Sequence, residues 1–207
     1  MEVVRYAGAI LLGYFLGAIP SGLIVGKLIK GIDVREYGSG KTGATNALRT
    51  LGNLPAGLVV LGDVLKGLGA ILVAHVLVDT AAATSLAGLA ATVGHIWPIY
   101  AGFRGGRGVL VSFGIFWLIC WPAALISSGV GFTVIAISRM VSLGVLSGAA
   151  IGVVATVPFV ARFNYSPWVF IYALLSASLM VGRHLDNIER LRAGTERKLG
   201  QPAQPVA

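Results

Sequence analysis

The stretch Val109–Ile137, VLVSFGIFWLICWPAALISSGVGFTVIAI, decides the architecture of this chain. A membrane-crossing helix needs about 20 apolar residues. This run is too long for one upright crossing and short for two. Trp121-Pro122 stands near its middle and reads as a turn. The run is therefore read as a tight hairpin of two short spans, 109–121 and 123–137, ended by Ser138-Arg139. Charge supports the hairpin, because short basic loops stay on the cytoplasmic side. With two spans here, Lys27, Lys30, Arg35, Lys41, Arg49, Arg104, Arg107, Arg139 and the basic residues from Arg183 to Lys198 share one side. Arg5 and Arg162 fall on the other, and Lys66 is left uncounted. Merging the hairpin into one span would move Arg139 and the basic C-terminus outside.

The surrounding sequence has the same oily character. Of 207 residues, 56% are hydrophobic and 12% charged, with a mean hydropathy of +0.85. A soluble domain carries about 25% charged residues, so lipid is the natural solvent. Further spans are read at about 4–29, 63–78, 81–100, 143–161 and 168–184. The expected fold is an all-α polytopic membrane protein of seven transmembrane helices, in one domain over 1–207. Its N-terminus lies outside and its C-terminus in the cytoplasm. The first run is read as a retained helix bent at Pro20-Ser21, not a signal peptide. The seventh is read as continuing helically beyond the lipid. Asp63 and Lys66 interrupt the run Leu54–Val78; because charge at mid-bilayer is costly, Leu54–Gly62 is placed along the interface.

The net charge of +8 lies in loops between apolar runs, which suits topology signals and anionic lipid contacts. Nucleic acid, which needs a basic face on a soluble module, is not expected as a partner. The single cysteine, Cys120, excludes an internal disulfide, and the three histidines are too scattered for a metal cluster. No cofactor is expected.

Three polar islands break the apolar pattern. Arg35–Arg49 reads REYGSGKTGATNALR, Gly94–Gly108 reads GHIWPIYAGFRGGRG, and Arg183–Lys198 reads RHLDNIERLRAGTERK. The first contains a formal GxGxxG and a GKT, but no βαβ unit surrounds them and the P-loop's first glycine is replaced by Arg35. What survives is anion chemistry. Gly40 and Gly43 allow backbone N–H groups to converge. Ser39, Thr42 and Thr45 add hydroxyls, Asn46 an amide and Arg49 a forked phosphate clamp. In the second island Arg104 and Arg107 sit among Gly105, Gly106 and Gly108. A topology signal alone would need the arginines but not the glycines. His95 is read as a packed, hydrogen-bonding residue. In the third island His184 and Asn187 share a helical face. Asp186–Arg190 and Glu189–Arg192 read as solvated pairs, and Glu196 as a partner for an arginine of the other loops.

Together, GSGKTGATNALR, GHIWPIYAGFRGGRG and RHLDNIERLRAGTE resemble the three signature regions of the bacterial acyl-phosphate-dependent glycerol-3-phosphate acyltransferases. The resemblance covers nearly the whole chain. It implies a seven-span inner-membrane enzyme of phospholipid synthesis, with its site facing the cytoplasm. That enzyme transfers an acyl group from acyl phosphate to the 1-hydroxyl of glycerol 3-phosphate, giving lysophosphatidic acid and phosphate. By the same resemblance Ser39 and Arg49 match essential positions, with Thr45 and Asn46 beside them. Gly105, Gly106 and Gly108 match the phosphate-binding loop, and His184, Asn187 and Glu196 the third signature. The family's usual FKGGKG is here FRGGRG, with Arg104 and Arg107 in place of lysines. Either His184 or a substrate phosphate accepts the hydroxyl proton. The implied partners are acyl phosphate, glycerol 3-phosphate and membrane lipids. The alternative from another class is a transporter of organic phosphates, which would place its substrate near mid-bilayer between repeats; no repeat is visible here.

Overall fold

The structure, a computed structural model, describes residues 1–201; residues 202–207 of the expected domain lie outside the described residues. Among the described residues the regular structure is entirely helical: α1 (Glu2–Gly17), α2 (Ser21–Lys30), α3 (Ala44–Leu51), α4 (Asn53–Leu77), α5 (Ala81–Ile96), α6 (Val109–Ile119), α7 (Trp121–Ser138), α8 (Val141–Arg162), α9 (Pro167–Gly182) and α10 (Leu185–Arg192). Single 3-10 turns lie at Val34–Glu36 and Ile99–Ala101.

The first apolar run is broken at Ala18–Pro20 rather than smoothly curved. Proline lacks an N–H and disfavours helix in the residue before it. The freed carbonyl of Ile19 accepts from Lys66 Nζ at 2.9 Å. The 109–137 run divides at Cys120, whose φ of −156° and ψ of 72° leave the helical region immediately before Trp121-Pro122.

Two expectations change. Helix α4 runs unbroken from Asn53 to Leu77, so no separate interfacial segment ends at Gly62. The reason is charge neutralisation. Lys66 Nζ lies 2.8 Å from Asp63 Oδ1, both side chains are almost fully buried, and His95 of α5 closes the group. At the other end the seventh run does not continue straight: α9 stops at Gly182 and α10 leaves at 63°. There the Arg183 carbonyl is taken by Arg107 Nε at 3.1 Å, while Asn187 N–H bonds His184 O instead.

Among the described residues, four units can cross a membrane by length and composition: α1 with α2, α4, α7 and α8; the bent α9–α10 pair makes a fifth. Helices α5 and α6 have 16 and 11 residues. At 1.5 Å per residue, α6 covers about 16 Å of a hydrocarbon core about 30 Å thick.

Small residues bring the helices together, as lipid-embedded packing requires. Helix α1 lies on α4 and α5, and α7 on α8. A Cβ added at Gly13 or Gly17 would strike the Ala87 or Ala91 carbonyl of α5; one at Gly144 would strike Gly131 of α7. The main core gathers Ile115, Phe116, Cys120 and Tyr172.

Candidate active site

Asn46 organises the first island. Helix α3 buries it, and its Nδ2 faces the carbonyls of Val34, Tyr37 and Lys41 at 2.8, 3.1 and 2.9 Å. Its Oδ1 accepts from Ser39 N–H at 2.9 Å. The amide expected to meet an anion is therefore consumed in folding loop 34–41. Ser39 and Thr45 remain on the wall of a cavity with Gly43 and Arg49. Gly40 forms the turn behind them, its N–H bonded to Tyr37 O.

The second island lies against the end of α5. Gly106 N–H bonds His95 O at 3.1 Å. A Cβ at Gly105 would collide with that same carbonyl, and one at Gly106 with His95 Nε2. Gly108 caps α6 at φ +80°, a conformation that L side chains avoid. Of this island, Arg107 is on the cavity wall. Gly105, Gly106 and Gly108 are buried beneath it, and Arg104 is exposed on the loop with its carbonyl turned to Arg35.

The third island supplies His184, Asn187 and Glu196 to the same wall. His184 Nδ1 lies 2.7 Å from Met180 O. A carbonyl only accepts, so Nδ1 carries the proton and Nε2 holds the free lone pair. His184 lies in the turn outside α9, and burial pushes its imidazole down to about 4. Glu196 accepts from Ser142 Oγ at 2.9 Å, Asn187 Nδ2 at 2.7 Å and Arg190 Nε at 3.0 Å. Its arginine thus comes from its own segment, not from the other loops. Asn187 Oδ1 is buried without a partner among the described residues.

Cross-links hold the islands together. Arg35 pairs with Asp33 at 2.7 Å and donates to Ala101 O at 2.8 Å, joining first to second. Arg107 Nη2 donates to Asp186 Oδ2 at 2.8 Å, joining second to third. Asp186 and Arg190 do pair, at 3.3 Å, but as part of this bridge rather than a solvated surface; Glu189–Arg192 is not among the ion pairs of the described residues. Burial opposes ionisation of Asp186, yet Arg107 and Arg190 hold its carboxyl below the usual range.

The cavity encloses about 420 Å³, within the span of about 300–1,000 Å³ common for small-molecule sites. Its head is cationic. Lys41 is pushed below an ordinary amine by burial and by Arg183 nearby; Arg49 is pushed down by burial and by Arg197, Arg107 and Arg190. Arg49 Nε is buried without a partner among the described residues. The first residues of α3 (Ala44, Thr45) and α6 (Val109, Leu110) line the same space, so two helix N-termini add positive potential. Crowded cations and unpaired N–H groups favour an anion. Most of the remaining wall is apolar, with Phe113, Phe116, Ile135, Val145, Val153 and Met180 from α6 to α9, interrupted by Ser112, Ser127, Ser128 and Ser176. Among the described residues, no three His, Cys, Asp or Glu side chains converge as metal ligands would.

A family model described as glycerol-3-phosphate acyltransferase matches residues 7–194. The chain belongs to the glycerol-3-phosphate acyltransferase family. Glycerol-3-phosphate acyltransferases similar to it include that of Parasynechococcus marenigrum (strain WH8102), 47% identical over 93% of this chain and 89% of the relative. That of Shouchella clausii (strain KSM-K16) is 44% identical over 96% and 98%. The fold matches a crystal structure of PlsY (YgiH), an integral membrane glycerol 3-phosphate acyltransferase, in its glycerol 3-phosphate form. That match has a TM-score of 0.85 and 34% identity, covering 94% of this chain and 96% of that one. The lysophosphatidic acid form of PlsY matches at 0.83. The chain is thus an integral membrane acyltransferase by family and fold.

Within this family frame, several residues of the site escaped the sequence reading. Lys41 stood inside a quoted motif but was counted only as a topology charge. Ser142 opens α8, far from any island, and nothing in an apolar run marks it. Asp63 of α4 and His95 of α5, read from the sequence as an ion-pairing and a packing residue, also touch the cavity.

Proposed function

We propose that this acyltransferase moves an acyl group from acyl phosphate to the 1-hydroxyl of sn-glycerol 3-phosphate. The products are lysophosphatidic acid and inorganic phosphate, and the reaction opens phospholipid synthesis. The observation that carries the reading is the two-part cavity: a cationic head built from three polar segments, continuous with an apolar wall between α6, α7, α8 and α9. Such a space suits a phosphate joined to a fatty chain. The glycerol 3-phosphate and lysophosphatidic acid forms of the solved relative support the same substrate and product here.

In this reading Arg49, Lys41, Arg107 and the starts of α3 and α6 hold two phosphates. Gly43 and Thr45 shape the first cradle, and Gly105, Gly106 and Gly108 bring the loop of Arg107 close. Asn46 positions Ser39 rather than touching substrate. Arg104 contributes field from the loop surface. Asn187 Oδ1 and His184 Nε2, both acceptors, orient the two glycerol hydroxyls, one each, and Glu196 holds Asn187. The hydroxyl oxygen attacks the acyl carbon, the carbon–oxygen bond to phosphate breaks, and phosphate leaves. Burial weakens the His184 imidazole as a base, whereas the departing phosphate oxygen gains negative charge as its bond to carbon breaks and is the stronger proton acceptor. The proton therefore passes to the departing phosphate, with His184 as orienter. Ser39 Oγ has no hydrogen-bonded base among the described residues, which favours a binding role over a nucleophilic one.

We further propose seven crossings of the bacterial inner membrane, N-terminus outside and C-terminus cytoplasmic, with glycerol 3-phosphate entering from the cytosol. The segregation of basic residues supports this orientation. Purified protein in detergent or mesophase, given acyl phosphate and glycerol 3-phosphate, should form lysophosphatidic acid and phosphate together. An organic-phosphate transporter would release neither above background.

A further inference from the structure

The buried group Asp63, Lys66 and His95 has no part in the reaction as drawn above. Lys66 and Asp63 face each other one helical turn apart on α4, and His95 reaches them from α5. Lys66 Nζ donates to Ile19 O at 2.9 Å and lies 2.8 Å from His95 Nδ1. Its third neighbour is Asp63 Oδ1, which is also 3.5 Å from His95 Nδ1.

One placement of the protons fits this arrangement. One positive charge balances one carboxylate, and an amine is a stronger base than an imidazole by about four pK units. The charge therefore sits on Lys66. An ammonium has donors only, so His95 Nδ1 must accept, and its ring is neutral with the proton on Nε2. Nε2 has no hydrogen-bond partner among the described residues, although His95 is 95% buried by its 5% exposure. The imidazole lines the cavity beside Arg107, and its Nε2 abuts Gly106. A Cβ at 106 would strike that nitrogen, so glycine leaves room for the ring there.

We propose that His95 is a further phosphate ligand of this site: Lys66 locks it as the Nε2–H tautomer, and that N–H donates to a phosphate oxygen bound over the Gly105–Gly108 loop. The inference rests on the acyl-transfer reading for the identity of the phosphate, but the tautomer and the contact do not. A neutral donor here complements the guanidinium of Arg107 and adds no charge to a crowded cationic head. Lys66 is then a positioning residue acting through His95.

The test uses the whole protein, labelled with ¹⁵N-histidine, with His95 assigned by its loss in His95→Gln. Nδ1 should show the shift of an unprotonated acceptor nitrogen, and Nε2 that of a protonated one. The Nε2–H signal should move on adding inorganic phosphate and with one of two further probes. Glycerol 3-phosphate and a non-hydrolysable acyl phosphonate distinguish which substrate phosphate is held. In turnover, His95→Ala should raise the KM for that same substrate between about tenfold and a hundredfold, as loss of a bond to a charged group does. Its kcat should change less. Gln, whose amide N–H reaches the place of Nε2, should recover most of the loss. Lys66→Met should raise the same KM with His95 still present. A proton on Nδ1, an Nε2–H that ignores all three phosphates, or KM values unchanged in His95→Ala would each overturn the proposal. If the substituted proteins fail to fold, the wild-type spectra decide. Phosphate-dependent movement of Nε2–H in a protein that makes no lysophosphatidic acid would sink the acyl-transfer reading and keep the ligand. Lysophosphatidic acid synthesis with an unresponsive His95 would do the reverse.

Discussion

Replacing Glu196 by alanine is the sharpest perturbation of the site that leaves every phosphate-holding cation in place. The carboxylate is 5% exposed and accepts three bonds, from Ser142 Oγ, Asn187 Nδ2 and Arg190 Nε. Breaking a buried ion pair by removing one partner costs about 3–5 kcal/mol. Arg190 is 27% exposed and keeps Asp186 at 3.3 Å, so it can relax toward water and the lower end applies, about 3 kcal/mol. The functional effect comes through Asn187. Once its Nδ2 is released, nothing described here fixes the direction of Oδ1. A misplacement of about 1 Å near the reacting atoms costs roughly a hundredfold in rate. Glu196→Ala should therefore unfold several degrees earlier in detergent and lose about two orders of magnitude in kcat/KM for glycerol 3-phosphate. Glu196→Gln, which can still accept from Ser142 but must oppose a donor to Asn187 or Arg190, should fall between. Unfolding by thermal melt and turnover by lysophosphatidic acid formation measure the two effects separately. Turnover within twofold of wild type in the alanine protein would refute the positioning argument, whatever the melt shows.

Gly106→Ala should cost about 1–3 kcal/mol and most of the activity, because its Cβ meets the His95 ring. Gly129→Ala, with nothing within 4 Å in α7, should keep both within about 1 kcal/mol and serve as the control. Asn46→Asp keeps the acceptor for Ser39 N–H but sets a carboxylate against three carbonyls. It should lose activity and destabilise the protein by about 2–4 kcal/mol, read by the same melt and assay. The His184 imidazole, held near 4 against about 6.5 when free, should make stability depend on pH. Its folded value is the lower one, so the unfolded chain binds the extra proton. Stability is then full above about 6.5 and falls by about 3 kcal/mol as pH drops toward 4. His184→Gln should lack that slope between pH 6.5 and 4 when melts are compared; equal slopes would contradict the burial.

Much of the site was legible because its chemistry is concentrated. Arg49, Arg107, His184, Asn187 and Glu196 stand in polar segments that an oily chain has no other reason to carry, and they do meet on one cavity. Their partners were not legible. Asn46 looked like an anion-binding amide because a sequence does not reveal which carbonyls will surround it. Asp186–Arg190 looked like a solvated pair because Arg107, which ties it into the site, arrives from a loop far away in sequence. Ser142 carried no signal at all.

The chain's own order of residues determined a membrane protein of helices, the break at Pro20, the division near Trp121-Pro122 and the family, since apolar run length, proline chemistry and motif residues are local properties. Only the tertiary structure decided that α4 runs unbroken past Asp63 and Lys66, that α9 ends at Gly182, and which glycines lie against neighbouring groups of the chain. Those outcomes depend on what approaches from elsewhere. His95 and Asp63 make a buried lysine tolerable, Arg107 draws off the carbonyl that would have continued the helix, and the end of α5 fills the space where side chains at 105 and 106 would have stood.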